Sequence, residues 1–112
     1  MLSPSVPTSG SSALRFARTV QALGVAARSL GLHVPGFRSP PRLVGVQRSI
    51  KRWDGGSTVA VVVRGRPWAA VQADLVEGVI AANGLASPAA DAARAALWEA
   101  IAGSARVGEA AA

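Results

Sequence analysis

Cysteine and tyrosine are absent, histidine and methionine occur once each, and only six of the 112 residues are acidic. Without cysteine there are no disulfides, no thiolate nucleophile and no Cys-based zinc site. The lone His33 lies in a connector with no acid or nucleophile close in sequence, so it reads as a connector residue. The serines form no G-x-S-x-G elbow, and neither a G-x-G-x-x-G turn nor a Walker-type loop is present. No enzyme activity, metal or cofactor is expected. Long apolar runs are also missing. The quietest stretch is 20–27, between Arg18 and Arg28, well short of the roughly 20 apolar residues that a membrane span needs.

The scarcity of acid is uneven. Asp54 is the first acidic residue of the chain. Residues 1–66 carry ten basic side chains against that one acid, a net +9, and residues 67–112 carry two against five, a net −3. A half of one sign favours polyanions through counterion release and long-range steering. Of the twelve basic residues, eleven are Arg and only Lys51 is Lys. The planar Arg fork matches phosphate oxygens bidentately. An Ala, Arg, Gly, Val and Pro bias of GC-rich coding explains the Arg excess equally well, but not its confinement to one half.

What is present fits one small α+β domain over 13–103, with 1–12 (Ser, Pro and Gly) and 104–112 expected as mobile tails. Residues 12–30 read as a helix, with Phe16, Val20, Leu23, Ala27 and Leu30 on one face and Gly31 at the C′ position. The Pro-rich stretch 31–45 reads as an extended connector. Residues 44–53 and 57–64 flank Asp54-Gly55-Gly56, a hairpin signal that predicts 46–52 paired with 58–64. Val59, Val61, Val62 and Val63 mark the second strand as central, and Arg48, Lys51 and Arg52 mark the first as an edge. Residues 67–72 have two readings. In the preferred one they form a third strand, and Asp74 with Glu77 makes a capping box for the next helix. In the other, Pro67 opens one helix over 67–83 with Trp68, Val71, Leu75 and Val79 inward. A break at Asn83-Gly84 and a last helix over 88–102, with Ala90, Ala93, Leu97 and Ile101 on one face, complete the pattern. The expected architecture is an N-terminal helix, a two- or three-stranded antiparallel meander and two C-terminal helices.

The candidate binding residues are Arg38, Arg42, Arg48, Lys51, Arg52, Trp53, Arg64 and Arg66. A two-stranded ribbon is narrow enough for a major groove, and Trp53 beside its tip suits stacking on an unpaired base. Arg64 and Arg66 stand astride Gly65 as a phosphate clamp. The plainer reading is a solvated edge strand and an Arg-bearing turn. The connector 35–42 reads either as a peptide for an aromatic groove or as a strap over the sheet, anchored by Phe37. Residues 59–71 (VAVVVRGRPWAAV) resemble the strand–turn–strand of small antitoxin-type repressors of the Phd kind, without that family's N-terminal pattern.

These features point to a small non-enzymatic accessory protein of the bacterial cytoplasm that binds DNA or RNA mainly through phosphates. The alternative is a protein–protein adaptor or homo-oligomerising module that meets an acidic partner. An acid-free, Ser- and Arg-rich start also fits an organellar transit peptide, removed after import.

Overall fold

A computed structural model describes the backbone of residues 6–41, 49–53 and 56–111, and the side chains of 13–41 and 58–104. Helix α1 spans Val6–Ser29, strand β1 Gly36–Arg38, β2 Ser49–Trp53, β3 Gly56–Ala60, helix α2 Trp68–Ala82 and α3 Ala89–Ala111. The class is α+β. Among the described residues no helix is long and apolar enough to cross a membrane.

The expected antiparallel meander does not form. The sheet is mixed, in the order β1-β3-β2. Its third strand comes from the Pro-rich connector, ahead of the hairpin, and not from 67–72. β1 lies parallel to β3, with Gly36, Phe37 and Arg38 beside Thr58, Val59 and Ala60. Arg38 and Ser49 both lie beside Ala60, so the chain leaves β1 and enters β2 at the same end of the sheet, and antiparallel β2 carries it back to the start of β3. Phe37 packs against the core next to Val59, so burial of one aromatic ring explains why so short a strand docks. β2 pairs antiparallel with β3 from Ser49↔Ala60 to Trp53↔Gly56. This register is one residue off the expected one, because Gly56 joins the ladder instead of the turn. Only Asp54 and Gly55 separate the paired ends, the commonest hairpin spacing. Both lie outside the described residues.

Residues 68–71 are helical, which also removes the second strand of the antitoxin-like resemblance. Val71, Leu75, Val76 and Val79 are fully buried, and a helix keeps all four within one arc, whereas a strand would turn Val76 away from the face of the other three. Pro67 supports the same outcome. Its missing N–H would break a sheet ladder but costs nothing at a helix start, where it is the N-cap residue with no side-chain cap. Asp74 and Glu77 therefore lie inside α2 and form no capping box.

The middle helix α2 touches the sheet and both other helices. It is buried on more than one side, with Gly78, Ile80 and Ala82 added to the four above. Gly78 is where α2 meets β3. A Cβ there would stand 2.5 Å from Cγ1 of Val59, so only glycine lets the two backbones come this close. α3 contributes Ala90, Ala93, Leu97 and Ile101 to the core, the face its periodicity predicted, and α1 contributes Leu23 and Ala27. Leu30, expected inward, is exposed.

Two helices stop in the same way. At α1, Gly31 N–H donates to Arg28 O and Leu32 N–H to Ala27 O (3.0 and 2.8 Å). At α2, Gly84 N–H donates to Ala81 O and Leu85 N–H to Ile80 O (3.1 and 3.3 Å). Both are Schellman ends, with Gly31 and Gly84 at φ +74° and +61° and with Leu32 and Leu85 packed on the core. The Asn83 side chain joins them. It accepts from His33 N–H (2.8 Å) and donates to His33 O (3.0 Å) and Val79 O (2.9 Å). His33 thus serves through its backbone as the point where the connector is fastened.

Two elements outrun their expected bounds. α1 begins at Val6, since Pro7 falls in the first turn where proline is tolerated. α3 continues to Ala111, past Gly103 and Gly108.

Candidate nucleic-acid interface

Parallel pairing of β1 and β3 brings their C-terminal ends together. Arg38 stands beside Ala60, and its carbonyl accepts from Val61 N–H at 3.0 Å. Arg64 follows three residues later, so it lies within about 10 Å of chain from that contact. Both side chains are exposed, and among the described residues neither has a carboxylate partner. The structure therefore gathers Arg38 and Arg64 at one end of the sheet.

The remaining candidates separate. Lys51, Arg52 and Trp53 occupy β2 opposite Thr58, Ser57 and Gly56. Trp53 is at the far end of the hairpin, about 13 Å of strand from Ala60. Their side chains, and the whole of Arg42 and Arg48, lie outside the described residues.

Arg66 does not mirror Arg64 across the turn. Gly65 takes φ +76°, and Arg66 N–H closes the turn onto Val63 O. The Arg66 side chain then folds inward. Nη1 donates to Val62 O at 2.9 Å, and Nη2 pairs with Asp74 at 2.8 Å. The expected two-armed clamp has one free arm.

Three acids of the C-terminal half, Asp74, Glu77 and Asp91, are occupied as well. Arg94 binds Glu77 bidentately, through Nε at 2.5 Å and Nη2 at 3.1 Å, and reaches Asp91 through Nη1 at 2.9 Å. Its pKa lies above the ordinary value, first because of the hydrogen bond to Glu77. Desolvation opposes that rise, and the charges of Glu77 and Asp91 add to it. Asp74, Glu77 and Asp91 thus neutralise Arg66 and Arg94.

Sequence reasoning missed one contact. The Arg15 guanidinium lies over the Trp68 ring, 4.6 Å from its centroid, and ties α1 to the start of α2. No periodicity relates residues 53 positions apart, so only the fold reveals it. Among the described residues no group of three metal-binding side chains converges. No protein-family model, curated protein or solved structure shows a significant match to the chain.

Proposed function

We propose that this protein binds nucleic acid through phosphate contacts, without catalysis, at the end of the sheet that carries Arg38 and Arg64. One observation carries the reading. Asp74, Glu77 and Asp91 are paired with Arg66 and Arg94, while Arg38 and Arg64 face solvent with no carboxylate partner among the described residues. Exposed guanidinium groups that lack internal partners are free to displace counterions from a phosphate backbone. Arg42, Arg48, Lys51, Arg52 and Trp53 are further candidates by sequence, with side chains outside the described residues. The test is fluorescence anisotropy with generic DNA and RNA over a range of salt. Binding at micromolar or weaker affinity that falls steeply with salt supports the reading. No binding at low salt removes it.

A second reading rests on Leu14, Val25, Leu30 and Trp98, large apolar residues left exposed on or beside α1 and α3. In it the protein is an adaptor or homo-oligomer. Light scattering that finds a stable dimer with no affinity for nucleic acid selects it. The proposed setting is a bacterial cytoplasm. A native N-terminus downstream of residue 30, found by mass spectrometry, points instead to import into an organelle.

A further inference from the structure

Three arginines among the described residues are held in place, and they are held differently. Arg66 and Arg94 are fixed by acceptors, which use their N–H groups. Arg15 is fixed by the face of Trp68, and no hydrogen bond or ion pair of its guanidinium is found among the described residues. Stacking restrains a guanidinium while leaving its five donors unspent. The support beneath it is firm. Trp68 packs against the hydrophobic core, and the Arg15 carbonyl accepts from Thr19 Oγ1 at 2.8 Å inside α1. Arg15 is exposed, so a ligand can reach it from solvent.

We infer that Arg15, stacked on Trp68, is a platform for an unpaired nucleobase, and that the nucleic acid bound here is single-stranded; this rests on the phosphate-binding reading above. A guanidinium plane stacks on a base while its edge donates to the adjoining phosphate, a combination that the point charge of lysine does not offer. The ordering of indole, guanidinium and base extends a stack that is already half built. Arg64 supplies the neighbouring phosphate contact. It is four residues from Trp68, so their Cα atoms are at most about 14 Å apart. A duplex keeps its base faces stacked inside the helix, and exposing one costs a few kcal/mol. The platform therefore discriminates by strand state, while Arg38 and Arg64 do not.

The experiment compares three fluorescent probes of equal length at one low salt concentration: oligothymidylate, an abasic strand and a duplex. The wild-type protein is expected to prefer oligothymidylate over the abasic strand by about tenfold, the scale of one stacked base. Arg15→Ala should bring that ratio to about one. Arg15→Lys keeps the charge, so it should retain the salt slope and lose most of the ratio, with an unchanged melting temperature. Equal affinity of the wild type for all three probes, with a normal salt slope, overturns the platform and leaves the phosphate reading standing. An unchanged ratio in Arg15→Lys and Arg15→Ala also overturns it. No binding to any probe overturns both.

Discussion

Arg66 and Arg94 on one side, and Arg38 and Arg64 on the other, put the same side chain to opposite uses. Around α2 and α3 two guanidinium groups meet carboxylates: Arg66 with Asp74, Arg94 with Glu77 and Asp91. At the end of the sheet Arg38 and Arg64 meet water. Charge counted along a sequence is thus not the charge a partner encounters. Arg66 belongs to the basic half by position, yet it is satisfied by an acid of the other half. The helical region uses its charges to fasten elements together, and the sheet end leaves them available.

If that division is right, the two regions should respond differently to substitution. The largest effect is expected in the helical core. Leu75→Ala and Leu97→Ala, both at fully buried positions, should each cost about 2–5 kcal/mol, read by denaturant unfolding. Over the same assay Arg38→Ala with Arg64→Ala should stay within about 0.5 kcal/mol of wild type, as exposed positions do. A large loss from the arginine pair would make those residues structural and end the contrast.

The next effect tests how the two regions are joined. Gly78→Val forces side-chain atoms into Val59 and should cost about 1–3 kcal/mol through overpacking between α2 and β3. Gly84→Val should cost about 1–2 kcal/mol, for a different reason. There is open space around Gly84, but its φ of +61° is strained for a branched side chain. A wild-type melting temperature for Gly84→Val would argue against the Schellman end. Smaller still is Asn83→Ala, at about 1 kcal/mol, since its partners at His33 are exposed and regain water. Amide exchange at His33 should speed up in that variant, while exchange in the middle of α2 stays slow.

Much of the helical region was legible from residue order. The α3 face Ala90, Ala93, Leu97 and Ile101 has a single periodic solution, and Gly31 and Gly84 mark chain reversals that side chains disfavour. The sheet was less legible. Pro67-Trp68-Ala69-Ala70-Val71-Gln72 fits a strand or a helix turn over six residues, and only burial of Leu75, Val76 and Val79 beyond it decides. β1 is three residues, too few for the inward Phe37 between outward Gly36 and Arg38 to mark a strand, and its pairing is set by β3. The candidate site was half legible. Composition identified a basic half, but the inward fold of Arg66 and the stacking of Arg15 on Trp68 depend on contacts remote in sequence or shaped by the turn at Gly65.

The central claim is that available charge, and not total charge, sets binding. The most direct measurement is the slope of log K against log salt for a generic single-stranded oligonucleotide. The triple variant Arg38→Ala, Arg52→Ala and Arg64→Ala should flatten that slope by about two to three units, near one per lost phosphate contact. Arg94→Ala, which removes one charge that is already engaged by Glu77 and Asp91, should leave the slope where it was. A slope unmoved by the triple variant, or flattened by about one unit by Arg94→Ala, would contradict the account.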